Sequence, residues 1–327
     1  MHGRDFAVNR RRAALGIAGT GAAMLVAGPD AFAWPRQPIR LLAPYSAGGT
    51  VDLVARIIAD DLSSGLPQRV ILENRTGGGT TIAAMAVAGA APDGHTLLYS
   101  TLAQATMRVL HPQLPLDVNT ALTPVSYIGA VPIVLAVNDG VPARTIQEFI
   151  ALARENPGKY DYASSGIGTP PHLAGELFCN MAAVKMSHVP YRGSGNSFAD
   201  LAAGTVPVIF VTGFSVARQP NVRLLAIASR ERAAAMPDVP TLQEAGLQGL
   251  EAYSWHMIFA PSATPTEVQE RVSEAVNRTI FKPGIRKRLA EQEIQPVGGT
   301  PADARRFFDA ERGRWERMLR DINFVAR

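Results

Sequence analysis

Hydrophobic residues along the chain fall into two alternating patterns. Short apolar runs predict strands, and longer segments with apolar residues at i, i+3, i+4 and i+7 predict amphipathic helices. Strands that alternate with helices indicate sheets with helical crossovers, so the fold class is α/β. The predicted strands are 39–43, 69–72, 96–100, 131–137, 206–210 and 224–227, and the predicted helices are 50–63, 80–90, 145–155, 173–183 and 196–203.

Three Thr-x-x-acid sequences predict helix starts with capping boxes. They begin at Thr145, Thr264 and Thr300, and a proline follows the last two at the expected first helical position. The helix that follows Thr300 is predicted over 301–322. Its apolar side chains share one face and should dock on a core, and they are Phe307, Phe308, Trp315, Met318, Leu319 and Ile322.

The N-terminus has the features of an export signal. Arg10–Arg12 precede an apolar run of small residues, 13–27, and an A-x-A sequence ends at Ala33. This pattern predicts a secretory signal peptide over 1–33. An uncleaved anchor is the alternative, although the apolar run is short for a membrane span. Either twin-arginine or general secretory export would suit the arginines. We therefore expect a periplasmic chain, 34–327, that does not insert into a membrane.

Charge and cysteine content exclude several classes of protein. The chain has 32 basic and 28 acidic residues, and 1–33 holds four of the basic and two of the acidic ones. The mature chain is therefore nearly neutral, and no Lys/Arg cluster with interleaved aromatic residues indicates nucleic-acid binding. A single cysteine, Cys179, rules out a disulfide framework. It lies in a helical pattern, so we predict a packing role.

Signatures of enzymes and of metal or cofactor sites are missing from the sequence. It contains neither a P-loop sequence nor H-E-x-x-H. Arg192 stands where a G-x-S-x-G motif around Ser194 would need its first glycine. The six histidines have no ligand spacing. We predict a binding protein with no catalytic residues, no cofactor and no metal.

Three glycine-rich segments lead into predicted helices, "APYSAGGT" at 43–50, "NRTGGGTT" at 74–81 and "YASSGIGT" at 162–169. The free N–H groups of a helix start bind anions, and glycines allow close approach. The alternative for the first segment is a simple turn whose helix is capped by Thr50 or Asp52. Three such starts in an α/β chain favour a cleft for an anion at the carboxyl ends of the strands.

Seven blocks of the sequence resemble one known family, in order and over nearly all of 34–327. They include "LLAPYSAGGTVD", "ILENRTGGGTT", "APDGHTLL", "PPHLAGEL" and "HVPYRGSG". The chain resembles the substrate-binding receptors of tripartite tricarboxylate transporters, known as the Bug family. The resemblance implies a two-lobed, type II periplasmic-binding-protein fold that closes on its ligand. Lobe 1 would combine 34–132 with 256–327, lobe 2 would span 133–255, and the chain would cross between them twice.

The resemblance also implies that the lobes hold a small carboxylate through backbone amides, hydroxyl groups and waters. The protein would deliver this ligand to the permease subunits of a membrane transporter. A sensor that presents the ligand to a histidine kinase is the alternative. The residues implied for binding are Tyr45, Ser46, Ala47, Gly48, Gly49, Thr50, Asp52, Thr80, Thr101, Leu102 and Gln104 in lobe 1, and Ser164, Ser165, Gly166, Thr169 and His172 in lobe 2.

One segment departs from the family pattern. Many relatives carry an aspartate where this chain has "VPVIFVTGF", with Val211 and Thr212 in that neighbourhood. We expect the missing acid to disfavour amino acids, because their ammonium group would have no partner. Pro207 lies inside the predicted strand 206–210, so that strand should be irregular or at a sheet edge.

Overall fold

The computed structural model describes residues 34–322 and 324. The predicted signal peptide, 1–33, therefore lies outside the described residues. Strands and helices alternate as expected, and a 3₁₀ turn over Gly78–Thr80 precedes α2 while another, Ser215–Arg218, follows β7. The strands are β1 (Ile39–Ala43), β2 (Val70–Asn74), β3 (Thr96–Ser100), β4 (Leu122–Asn138), β5 (Asp161–Ser164), β6 (Ser187–Pro190), β7 (Val208–Thr212), β8 (Val222–Ile227), β9 (Tyr253–Pro261) and β10 (Gln295–Pro296). The helices are α1 (Thr50–Gly65), α2 (Thr81–Ala88), α3 (Ala103–Leu110), α4 (Val118–Ala121), α5 (Ile146–Glu155), α6 (Pro170–Met181), α7 (Ser194–Ala203), α8 (Thr266–Ile280), α9 (Pro283–Ala290) and α10 (Pro301–Asp321).

The long strand β4 joins two parts of one mixed sheet, whose order is β2-β1-β3-β9-β4-β7-β5-β6. Its first half pairs antiparallel with β9, and its second half, from Ile133, pairs antiparallel with β7 and β8. The outer strands are parallel, β2-β1-β3 on one side and β7-β5-β6 on the other. The chain passes back to the first part of the sheet at Ala252. The Ala252 carbonyl accepts a hydrogen bond from the Ile133 N–H, and the Ala252 N–H donates to the Ala228 carbonyl. The lobe boundaries themselves stay a prediction.

Alternating side chains of the strands fill separate cores on the two faces of the sheet. In β1, Leu41 packs with α1, α8 and α9, whereas Leu42 packs with the aromatic core under α10. Phe308, Trp315 and Leu319 of α10 are buried there, so the predicted docking of the last helix is confirmed. Free Cys179 is partly buried against the same core.

Two of the three predicted capping boxes are present. Thr145 pairs with Glu148 at the start of α5, and Thr300 pairs with Asp303 at the start of α10. The prediction at Thr264 was wrong, because α8 begins at Thr266 and its N-cap is Pro265, which has no side-chain hydroxyl to accept a bond. Pro265 has a φ of −55°, which suits a helix, but its ψ of 140° is extended, so Pro265 lies outside the helix.

The prediction for Pro207 was also wrong. Strand β7 begins one residue later, at Val208, and lies inside the sheet between β4 and β5. Proline donates no hydrogen bond, but its carbonyl accepts one from the Asn138 N–H at 2.9 Å. Pro207 therefore ends the preceding turn without interrupting the ladder. No helix among the described residues is long and apolar enough to cross a bilayer.

Candidate functional site

The first glycine turn connects β1 to α1, and hydrogen bonds to a side chain of α1 fix its conformation. Gly48 has a φ of 90°, and Gly49 is the N-cap of α1 with no side-chain cap. Buried Asp52 accepts a hydrogen bond from the Gly48 N–H at 3.1 Å. It also accepts from Asn74 Nδ2 at 2.8 Å and from Arg56 at 2.9 Å. Thus neither Thr50 nor Asp52 caps the helix, and Asp52 fixes the shape of the turn instead.

This turn lies directly against segments from the other part of the sheet. The Ser46 N–H donates to the carbonyl of Arg192 at 3.3 Å. A methyl group on Gly193 would overlap Ser46 Oγ, a buried atom without a partner among the described residues. Thr50 Oγ1 donates to the carbonyl of Thr212 at 3.1 Å. The two parts of the sheet are therefore in contact here.

The N-termini of α1 and α7 converge at this contact. A Cβ on Gly195 would lie 3.7 Å from the carbonyl oxygen of Ala47 and 4.0 Å from the N atom of Gly49. Both helices have glycine at the N-cap, Gly49 and Gly193, and neither has a side-chain cap. Each N-terminus carries about half a positive charge and unpaired N–H groups. Two such ends side by side favour an anion between or beside them.

A cavity of about 440 Å³ opens next to this contact. Its first wall comes from Pro44 and from the turn before α2, and its second wall comes from the turn before α6 and from the end of β6. Thr80, at its edge, has a φ of 79° and a buried Oγ1 without a partner among the described residues. The lining residues are Pro44, Thr76, Gly77, Gly78, Gly79, Thr80, Ile82, Ser165, Gly166, Ile167, Thr169, Pro190, Tyr191 and Arg192.

Four of the residues implied by the family resemblance line this cavity: Thr80, Ser165, Gly166 and Thr169. Thr169 is the N-cap of α6, and its hydroxyl donates to the Gly166 carbonyl at 2.7 Å and caps nothing. The start of α6 nevertheless has few free donors, because the Thr169 N–H donates to the Gly166 carbonyl at 3.3 Å and Pro170 and Pro171 have no N–H. Ser46, Ala47, Gly48, Gly49 and Thr50 form the neighbouring turn described above.

A second group of implied residues lies behind the first turn and is fully buried. The hydroxyls of Tyr45 and Thr101 are 2.5 Å apart, and burial raises the pKa of Tyr45. Leu102 is the N-cap of α3, and Gln104 Nε2 donates to the Val118 carbonyl at 3.3 Å. These residues support the turn from inside the protein.

Ser164 and His172 belong to a different environment. Ser164 Oγ lies 2.6 Å from His188 Nε2, and the His172 ring stacks on His188 with 3.9 Å between centroids. Burial lowers the pKa of His172 to about 3 and that of His188 to about 4, so both rings are neutral. His172 Nδ1 accepts from the Gly168 N–H at 3.0 Å. The His172 ring lines another cavity, with Glu176 and Phe324, and not the one beside Thr80.

The segment 192–195 is the part of the site that the sequence did not assign. The sequence around Ser194 lacks the first glycine of a nucleophile turn, and its apolar pattern predicts a helix that begins only at 196. In the structure α7 begins at Ser194, directly against the first glycine turn. The sequence did contain a signal for an anion-binding helix start here. Gly193 and Gly195 precede an apolar helical pattern, as the glycines of 43–50, 74–81 and 162–169 do. Among the described residues, no cluster of His, Cys, Asp or Glu could hold a metal ion.

Sequence comparison with known proteins identifies one family. The family model of the tripartite tricarboxylate transporter family receptor matches residues 54–324. The protein BugT of Bordetella pertussis is 33% identical over 298 residues, which are 89% of this chain and 91% of BugT.

Two solved structures have the same fold. The periplasmic binding protein BugD is 25% identical, with a TM-score of 0.85, and the match covers 90% of this chain and 100% of BugD. The protein Rpa4515 of R. palustris, solved with adipate, is 33% identical, with a TM-score of 0.85 over 89% of this chain and 99% of Rpa4515. The predicted fold class, a two-lobed α/β periplasmic binding protein, is confirmed.

Proposed function

The chain belongs to the tripartite tricarboxylate transporter family of receptors, the Bug family, and from that premise we propose that it is an exported solute receptor. It binds a small carboxylate in the cleft between the two predicted lobes. Backbone amides, hydroxyl groups and ordered waters hold the ligand, and a tripartite membrane transporter receives it. The receptor changes no covalent bond of its ligand.

One observation carries this proposal: the N-termini of α1 and α7, which have no side-chain cap, lie in contact with each other next to a cavity. Gly49 and Gly193, their N-caps, supply no side chain that could satisfy the helix ends. A carboxylate there would gain hydrogen bonds from backbone N–H groups and the field of two helix dipoles. No buried arginine is needed for that, because fixed amides supply the positive potential.

One hydroxyl of the cavity wall and one of the neighbouring turn suit the same ligand. Thr80 Oγ1 and Ser46 Oγ are buried without partners among the described residues, and a buried hydroxyl without a partner costs about 1 to 3 kcal/mol. A ligand oxygen or a bridging water would remove that cost on closure. The adipate bound by Rpa4515 is an organic acid of the expected kind.

The binding proposal is tested by thermal unfolding of the purified protein, unfolded and refolded beforehand to remove any co-purified ligand. The panel holds mono-, di- and tricarboxylates, amino acids and aromatic acids. An acid at about 100 times its dissociation constant should stabilise the fold by about 2.7 kcal/mol. The amide of the same acid is the matched control and should give no shift. The proposal fails if no acid in the panel shifts the transition.

Delivery to a transporter needs a separate test in cells. Uptake of the labelled acid should fall when the gene for this chain is deleted and return when it is restored. Unchanged uptake, together with lost transcriptional induction by the same acid, would point to the sensor alternative. The predicted signal peptide is checked by the N-terminal sequence of the exported protein, which should begin at Trp34.

A further inference from the structure

The loop before α6, residues 165–169, lies between two cavities. Most of its residues line the 440 Å³ cavity beside the cleft contact. His172 of α6 and His188 of β6 instead line a separate cavity of about 630 Å³, to which no residue of the loop contributes. The two histidines therefore lie behind the loop and would act on a ligand in the first cavity only through the loop.

Each histidine holds one glycine N–H of the loop. The Gly168 N–H donates directly to His172 Nδ1 at 3.0 Å. The Gly166 N–H donates to Ser164 Oγ at 3.1 Å, and Ser164 Oγ lies 2.6 Å from His188 Nε2. The two glycines have φ values of 126° and 76°. The histidines thus hold a backbone path that glycine adopts far more readily than other residues.

The two rings also hold each other in place. They stack with 3.9 Å between centroids. Tyr162 stacks on His188 at 5.0 Å, and Phe324 meets His172 edge-on at 5.5 Å. A rotation of either ring would therefore disturb the other ring and the glycine N–H group that it holds.

These bonds leave the other N–H groups of the loop for the cleft cavity. The backbone N–H groups of Ser165 and Ile167 have no hydrogen-bond partner among the described residues, and both residues line the 440 Å³ cavity. They alternate with Gly166 and Gly168 along the chain. A carboxylate oxygen can use these two donors only while the intervening glycines keep their conformation.

From this arrangement we infer that His172 and His188 are a positioning pair for the cleft. With both rings neutral they hold loop 165–169 in its binding conformation, and protonation of His172 releases the loop. The chemical reason is direct, because a protonated imidazole carries a hydrogen on Nδ1 and cannot accept from the Gly168 N–H. This inference rests on the proposed function.

The surroundings of the pair keep both rings neutral near pH 7. Burial, and secondly the neighbouring ring, lower the pKa of His172 to about 3, and burial lowers that of His188 to about 4. The titratable groups that face the pair among the described residues are Glu176 and Cys179 of α6 and Tyr162 of β5. Glu176 Oε1 lies 3.9 Å from His172 Nε2, beyond hydrogen-bond distance, and accepts from the Tyr162 hydroxyl at 2.5 Å.

The first test measures calorimetric affinities of the purified protein at pH 7.5 for adipate and the other acids of the panel. His172→Phe keeps the stacked ring and loses the acceptor, so affinity should fall about tenfold, since a buried N–H is left without a partner. His172→Asn offers an amide oxygen near the place of Nδ1 and should bind within about threefold of the wild type.

His95→Phe is the matched control. His95 Nε2 accepts a hydrogen bond from the Arg36 N–H at 3.1 Å. This bond lies at the start of β1, whereas the cleft contact lies beyond the end of β1. The control variant also loses an imidazole acceptor for a backbone N–H, so it should lower stability and leave affinity unchanged.

Amide exchange gives a second readout that needs no ligand. An opened loop would expose His172, whose pKa would return to about 6.5. The protection factor of the Gly168 N–H, measured by NMR, should therefore fall between about pH 6.5 and 4. The fall should be about tenfold per pH unit steeper in the wild type than in His172→Asn, because the opened loop takes up one more proton.

The two readouts separate this inference from the proposed function. Equal affinities of the wild type and His172→Phe for an acid that binds would overturn the inference and leave the receptor proposal standing. The same pH dependence of Gly168 protection in the wild type and His172→Asn would do so as well. Binding of no acid by the wild type would refute both.

Discussion

The hydroxyl of Thr50 donates a hydrogen bond to the carbonyl oxygen of Thr212 at 3.1 Å, across 162 positions of sequence. Thr50 begins α1, and Thr212 ends β7 in the other part of the sheet. This bond therefore exists only when the two parts are in contact. Under the proposed function, this bond would link the first glycine turn to closure of the cleft.

Thr50→Val should weaken ligand binding about fivefold, because a lost neutral hydrogen bond costs about 1 kcal/mol. Calorimetry with the best acid of the panel measures the change. Thr279→Val is the matched control, since Thr279 Oγ1 donates to Asp61 Oδ2 at 2.8 Å between α8 and α1, away from the cleft. It should lower stability and leave affinity unchanged. Equal affinities for Thr50→Val and the wild type would contradict a role in closure.

Gly193→Ala should abolish closure. The added methyl group would overlap Ser46 Oγ, and the φ of Gly193, 146°, disfavours any side chain. We expect a loss of affinity of at least tenfold by calorimetry. Gly249→Ala is the control, because its φ of 81° is also unfavourable but no atom lies within 4 Å of the new Cβ. That variant should lose about 1 kcal/mol of stability and no affinity. Normal binding by Gly193→Ala would show that the contact is dispensable.

Asp52→Ala should destabilise the protein by about 2 kcal/mol. It removes a buried carboxylate that accepts from the Gly48 N–H and the Asn74 amide, and the Asn74 amide then keeps only the Tyr45 carbonyl. Hydrogen bonds to a charged group contribute about 1.5 to 3 kcal/mol. Urea unfolding measures the change. Arg56→Ala removes the half-exposed partner of the same carboxylate and should cost less than about 1 kcal/mol. If the two variants lose equal stability, Asp52 acts only through its ion pair and does not hold the turn.

Stability should fall as the pH drops from about 6.5 towards 4. Burial lowers the pKa of His256 to about 3, while the unfolded chain keeps the ordinary value near 6.5. Between these values the unfolded state binds one more proton, so each pH unit costs about 1.4 kcal/mol from this residue. Urea unfolding of wild type and His256→Asn across this range should show a shallower slope for the variant. Parallel slopes would mean that His256 does not set the acid sensitivity.

The hydrophobic pattern predicted much of the fold. β1 and β3 have the predicted bounds, and α1, α5 and α7 lie within two residues of theirs. The pattern underestimated the length of β4. The first half of this strand, from Leu122, includes Pro124 and Gly129 and therefore has no continuous apolar run. It also missed the start of α7, since small and polar residues there carry no apolar signal.

The grouping of residues at the candidate site was predicted only in part, for a related reason. Glycines and hydroxyls at helix starts mark a loop that can bind an anion, and Thr80, Ser165, Gly166 and Thr169 do share one cavity. The pattern does not say which way a side chain points. The His172 ring lies against His188 and Phe324, in another cavity.

The sequence by itself determined the local structures: the strands, the helices, their glycine turns and, by resemblance, the family. These depend on the periodicity and conformational limits of neighbouring residues. Only the tertiary structure decided that Ser46 meets Arg192, that Thr50 bonds to Thr212, and that Arg192 alone brings charge to the described cavity wall. Ser46 and Arg192, like Thr50 and Thr212, are far apart in sequence. They meet because the chain crosses the sheet along β4 and returns along β9, and no local sequence pattern encodes that path.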